Sequence, residues 1–181
     1  MLTPETVQYC HSKHQWRLMT RERERAYAII IHASRALTIT LCVRIVSGSS
    51  SCVVAAMYRP GSAAVTAAFV SEMSDVLDRI STFAVPVMLV GDVNIRFDRP
   101  TDVDAVQFTE LLAAHGFANH VTSSTHDLGG MLDVVVSRVD LPSLLVGAHD
   151  VGLSDHRLLQ WSAQLMWPAP VDDHQSTMGT T

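Results

Sequence analysis

The sequence predicts an α+β chain with a central pair of sheets covered by helices. Three observations lead there. Apolar segments of strand length outnumber segments of helical period. Hairpin-like strand–turn–strand stretches mix with helical crossovers. The conspicuous polar motifs fall at strand ends or just past them, so distant segments can converge on one edge of the sheets.

The first segment, 1–25, has weak periodicity and is expected to be irregular or partly helical. Ala26–Ala33 reads as a short buried strand. Leu37–Val46 alternates, with Leu37, Ile39, Leu41, Val43 and Ile45 on one face, as a half-buried strand does. Ser47-Gly48-Ser49-Ser50-Ser51 turns the chain, and Cys52–Tyr58 returns to make a hairpin. Pro60-Gly61 breaks the strand. Val65, Phe69, Met73, Val76, Leu77 and Ile80 then share one face of a helix over 63–82.

Pro86–Val90 reads as a fully buried strand. Thr101-Asp102-Val103-Asp104 resembles a capping box, opening a helix that carries Val106, Leu111, Leu112 and His115 and stops at Gly116. Phe117–Val121 is short and extended, Met131–Ser137 and Leu144–Ala148 are strands, and Arg157–Leu165 is the last strand. From Trp167 onward Pro, Asp, Ser, Thr and Gly dominate, the composition of a disordered tail. The expected organisation is one domain over 26–165, flanked by segments 1–25 and 166–181.

Bulk composition narrows the function classes. At 181 residues and 48% hydrophobic content, the chain can bury a substantial core. A net charge of −5 argues against a generally basic nucleic-acid surface, although an acidic metal cluster would take a large share of that charge. Cys10, Cys42 and Cys52 lack metal-ligand spacing. Cys42 and Cys52 lie in apolar segments and read as buried thiols, which points to a reducing compartment. No signal peptide or apolar run near the roughly 20 residues of a membrane span is present, so an intracellular protein with no membrane partner is expected.

The chemistry concentrates in a few motifs. Gly91-Asp92-Val93-Asn94 follows the apolar run 85–90, so Asp92 and Asn94 are expected to project together from a strand end. A carboxylate beside an amide suits a phosphate held with a divalent metal, although Asp-x-Asn beside Gly is also a common turn composition. Asp155-His156 precedes the final strand and offers a metal-binding carboxylate next to an imidazole able to act on a phosphoryl group. The plainer alternative is a capping Asp and a surface His.

Asp133 opens an apolar strand, where a buried carboxylate needs a partner, and His156 is a natural one. Tyr58 ends its strand with a hydroxyl that can donate to phosphate, or packs as core with a wet tip. Arg59 is a phosphate contact or a surface residue. Thr125, before His126 and the Gly129-Gly130 pair, is a substrate contact or part of an ordinary turn.

Taken in order, Tyr58-Arg59-Pro60, Gly91-Asp92-Val93-Asn94, Thr125-His126, Leu132-Asp133 and Ser154-Asp155-His156 resemble the endonuclease/exonuclease/phosphatase superfamily. The nearer likeness is to the apurinic-type endonuclease domain of non-LTR (LINE-like) retrotransposons, over about residues 26–165. The resemblance implies a four-layer α/β sandwich of two packed, mainly antiparallel sheets flanked by helices. It implies phosphodiester hydrolysis with Mg²⁺ or Mn²⁺ and DNA as partner. It also implies access to the nucleus and a reverse transcriptase domain in a parent polyprotein. By the same resemblance Asp92 orients the attacking water, and Asn94 holds the scissile phosphate with help from Tyr58. His156, paired with Asp133, stabilises the developing charge, Asp155 binds metal, and Thr125 contacts substrate.

The family pattern begins with a strand-end Asn and then a Glu, the main metal ligand. Here no Asn precedes Asn94, and the upstream acids Glu5, Glu22 and Glu24 do not follow apolar strands. The chain is therefore expected to be an N-terminally truncated domain missing its first strands, with little or no nuclease activity. A catalytically inactive remnant or nucleic-acid-binding module of the same fold is the alternative. A phosphoinositide or sphingomyelin phosphodiesterase fits the motif spacing less well.

Overall fold

The computed structural model describes residues 5–12, 15–19, 25–29, 38–47 and 50–163, with side chains over 42–46 and 50–163. The tail expected to be disordered lies outside the described residues.

Apolar alternation builds a six-stranded sheet. Strands β3 (Arg25–Ile29), β4 (Thr38–Ser47), β5 (Ser50–Tyr58), β6 (Val87–Asp92), β7 (Phe117–Asn119) and β8 (Asp133–Arg138) lie in the order β3-β4-β5-β6-β8-β7. Every pair is antiparallel except β5–β6, which is parallel. A parallel pair needs a crossover, and helix α1 (Ala67–Ser81) supplies it. The helix starts later than the apolar stripe suggests. Ala63 N–H closes a turn onto the Pro60 carbonyl, and Thr66 caps α1 by accepting from Phe69 N–H at 3.2 Å.

Helix α2 (Val103–Ala114) is capped by Asp102 rather than Thr101: Asp102 Oδ1 accepts from the N–H groups of Asp104 and Ala105. Ala105, Phe108 and Leu112 face the core, whereas Val106 is 40% exposed, contrary to the expected stripe.

The pleat of β5 separates two cores. Val53, Ala55 and Met57 face α1 and α2, packing with Phe69, Met73, Leu77 and Phe108. Cys52, Val54 and Ala56 face the other way, packing with Leu159 and Trp161 of the second sheet. Trp161 Nε1–H donates to Met88 Sδ at 3.1 Å. Cys42 and Cys52 are buried thiols rather than disulfide partners, and burial pushes the Cys42 thiol up to about 11.

The second sheet has the order β2-β1-β10-β9, all antiparallel, from β1 (Glu5–Ser12), β2 (Gln15–Met19), β9 (Val146–His149) and β10 (Leu158–Ala163). Strands within 1–25 differ from the expected irregular segment. The partner of β1 is β10, at the far end of the chain, so nothing local signals the pairing. The result is a mixed α+β architecture in which two sheets pack face to face and both described helices cover the six-stranded one.

Candidate active site

The site is a row of residues across three adjacent strands. Parallel pairing sets Tyr58, the last residue of β5, opposite Asp92, the last residue of β6. Antiparallel pairing sets Asp92 opposite Asp133, the first residue of β8. The parallel register therefore brings two strand ends to the edge where the β8 carboxylate begins. Tyr58 is half-buried there, while Asp92 and Asp133 are buried.

Asp92 and Asn94 do lie side by side, but not on an extended strand. The chain leaves β6 after Asp92, and Asn94 takes a left-handed conformation at φ 51°, which Asn tolerates better than most residues. Asp92 Oδ1 accepts from Asn94 N–H at 2.9 Å, and Asp92 Oδ2 accepts from Asn94 Nδ2 at 2.8 Å. The second Asn94 amide hydrogen reaches the Arg59 carbonyl at 2.9 Å. Burial, and next the Asp133 carboxylate, push the Asp92 carboxyl up to about 6, against the opposing pull of His156 and the Asn94 bonds.

Asp133 meets its counterpart. His156 Nδ1 lies 2.8 Å from Asp133 Oδ2, and His156 Nε2 lies 3.9 Å from Asp92 Oδ2. A carboxylate on Nδ1 fixes that nitrogen as the donor and turns Nε2 toward Asp92. The Asp133 bond raises the His156 pKa above its ordinary value, and Asp92 and Asp155 add to the effect against desolvation.

His156 is held by a pair of loops. It forms an antiparallel bridge with His126, its own N–H donates to Ser154 Oγ at 2.9 Å, and Asp127 N–H donates to the Asp155 carbonyl at 2.9 Å. Asp155 itself is exposed, an oxygen donor suited to a hard cation approaching from solvent.

Two residues expected to contact substrate point inward instead. Arg59 is 3% exposed, with Nε donating to the Val93 carbonyl and Nη2 to the Asn94 carbonyl, both at 2.7 Å. Its Nη1 reaches the Ala63 and Pro60 carbonyls, and its guanidinium lies 5.7 Å from the Phe69 ring centroid. It is a clamp on the Asp92–Asn94 turn and not a surface residue. Thr125 is fully buried, and its Oγ1 accepts from the N–H groups of Leu132 and Asp133. It fixes the backbone that presents Asp133.

His126, part of the Thr125-His126 motif, is given no role of its own by the sequence. Its ring meets that of His156 edge-on, with centroids 5.0 Å apart, and its Nε2 lies 3.5 Å from Asp155 Oδ2. The nearby Gly129-Gly130 pair marks the loop but does not reveal this non-local bridge.

No family model and no curated protein sequence matches the chain, but solved structures do. The endonuclease domain of TRAS1, a telomere-specific non-LTR retrotransposon, superposes with a TM-score of 0.62 at 13% identity, over 88% of this chain and 78% of that one. An endonuclease/exonuclease/phosphatase family protein from Leptotrichia buccalis gives 0.54 at 13% identity, over 90% and 71%. Truncated Caenorhabditis elegans TDP2 gives 0.53 at 14% identity, over 87% and 74%. At such identities the likeness is one of fold: the chain has the endonuclease/exonuclease/phosphatase fold.

Proposed function

We propose that the chain is a metal-dependent phosphodiesterase domain that nicks DNA, of the kind carried by non-LTR retrotransposons, and that it turns over slowly. The observation that carries this reading is the line Asp133–His156–Asp92, with Asn94 bonded to both oxygens of Asp92. Asp133 holds the imidazole by Nδ1, so Nε2 faces the place where a phosphoryl oxygen would gain charge. The raised pKa of His156 keeps a larger share of it cationic near neutrality, which suits that task.

Asp92, pushed up to about 6, is poised to orient a water and take its proton. Asn94 can hold a phosphate oxygen only by exchanging one of its two internal bonds. Tyr58, at the neighbouring strand end, adds a hydroxyl donor. Asp155 would hold Mg²⁺ or Mn²⁺, which would polarise the phosphoryl oxygen.

Slow turnover is expected because the family's Asn and main metal-ligand Glu have no counterpart in the sequence motifs. Among the described side chains the glutamates, Glu72 and Glu110, sit on α1 and α2, and the strand-end row offers aspartates. A second reading, a silent nucleic-acid-binding module, is favoured by the full occupancy of the Asn94 amide hydrogens.

The test offers the purified chain supercoiled plasmid, sphingomyelin and a phosphoinositide in separate arms, each with Mn²⁺ or with a chelator. Nicking of the plasmid alone, and only with metal, is the expected result. Turnover of a lipid instead would replace the DNA assignment.

A further inference from the structure

The loops around His156 bring together a ligand set that differs from the all-oxygen one just described. His126, Asp155 and His156 each present a donor atom, and the three lie within 4.8 Å of one another. The carboxylate is 71% exposed, while the two rings are 16% and 12% exposed. A cation could therefore enter from solvent and keep water on its open side.

The backbone pre-sets this arrangement. His126 and His156 face each other across an antiparallel bridge, reinforced by Asp127 N–H to the Asp155 carbonyl and Arg157 N–H to the Thr125 carbonyl. Behind His156, Asp133 accepts from Nδ1 at 2.8 Å, which fixes Nε2 as the nitrogen that would meet a cation. A carboxylate on the far nitrogen of a histidine is the usual outer support of a metal-ligating imidazole.

We propose that His126, Asp155 and His156 form a binding site for a borderline divalent cation of the Zn²⁺ or Co²⁺ type, in preference to Mg²⁺. Two imidazoles and one carboxylate with an open position match tetrahedral zinc chemistry. Mg²⁺ favours oxygen ligands and gives up its water reluctantly. His126 must adjust: its Nδ1 now accepts from Leu128 N–H at 3.1 Å, which places the ring proton on Nε2. On metal binding the proton moves to Nδ1, and Leu128 N–H, on an exposed residue, turns to water. Occupation also takes His156 Nε2 away from phosphate, so the same ring serves either the cation or the nicking chemistry. Binding itself does not depend on the phosphodiesterase reading.

The test is a Co²⁺ titration of the purified full chain at pH 7.5, read by visible absorption, with Zn²⁺ and Mg²⁺ as competitors. The expected result is one Co²⁺ per chain, displaced by stoichiometric Zn²⁺ but not by excess Mg²⁺. Asp155→Asn, an exposed isosteric change, and His126→Ala should each weaken binding by at least about tenfold, with Asp133→Asn also weakening it. The Leu128 amide NMR resonance should move as metal binds. Unchanged Co²⁺ affinity in Asp155→Asn and His126→Ala, no binding by the folded chain, or equal displacement by Mg²⁺ would overturn the proposal. Co²⁺ binding by a chain that also fails to nick plasmid in Mg²⁺ or Mn²⁺ alone would contradict the phosphodiesterase reading and leave this site standing.

Discussion

Arg59 and Asn94 hold each other by a reciprocal pair of bonds. Arg59 Nη2 donates to the Asn94 carbonyl at 2.7 Å, and Asn94 Nδ2 donates to the Arg59 carbonyl at 2.9 Å. The turn after β6 is thus locked to the end of β5 from both sides, and Asn94 keeps its left-handed conformation beside Asp92.

Arg59→Lys tests that lock. A lysine keeps the charge but cannot serve the Val93, Asn94 and Ala63 carbonyls at once. Stability should fall by about 2–3 kcal/mol in denaturant unfolding, from buried carbonyls losing charged donors. A loss below about 0.5 kcal/mol, the range of an ordinary surface change, would contradict the clamp.

Gly91→Ala tests the parallel register. An added Cβ would lie 1.8 Å from the Met57 carbonyl oxygen, and φ there is +143°, a conformation L side chains rarely adopt. The variant should be insoluble or lose more than about 3 kcal/mol by thermal unfolding. A variant as stable as the parent would mean that β5 and β6 are not paired in this register.

Asp92→Asn should change how stability depends on pH, because it removes the charge while setting an amide NH2 against one of the two Asn94 donors. A carboxyl with a pKa higher in the folded than in the unfolded state destabilises the fold when ionised. That penalty is absent below about pH 3.9, the ordinary aspartate value, and complete above the folded value of about 6. Relative to the parent, the variant should gain about 1–3 kcal/mol between acid pH and pH 7.5, on top of a pH-independent loss from the disrupted Asn94 bond. Unfolding curves that show no gain, or a gain growing toward acid, would count against a buried, electrostatically strained Asp92.

His156 should titrate above its ordinary value in the parent protein and lower in Asp133→Asn, where desolvation is opposed by fewer charges. Its contribution to stability has the opposite sign from that of Asp92. It is present below the unfolded value and is lost as pH rises through the folded one. NMR titration of the imidazole protons reads this directly, and identical titration in the two proteins would exclude the Asp133 bond.

Part of this site is legible in the sequence for a physical reason. A carboxylate at Asp133, ahead of three valines, is too costly to bury alone, which points to His156. The strand ending at Asp92 is likewise marked by its apolar run. Arg59 and Thr125 are not legible in the same way. Whether a polar side chain at a strand end turns outward depends on carbonyls and amides that other segments bring near, here Val93, Asn94, Leu132 and Asp133. The contact of His126 with His156 and the strand character of β1 escape notice because the partners, His156 and β10, are remote in sequence.

The central claim, that the strand-end row hydrolyses phosphodiesters, is tested most directly by nicking of supercoiled plasmid. The parent chain is compared with Asp92→Ala and His156→Ala in Mg²⁺ and in Mn²⁺. The account predicts slow, metal-dependent nicking by the parent that is lost in both variants. Nicking that survives either substitution, or no nicking by the folded parent at any cation concentration, would contradict it.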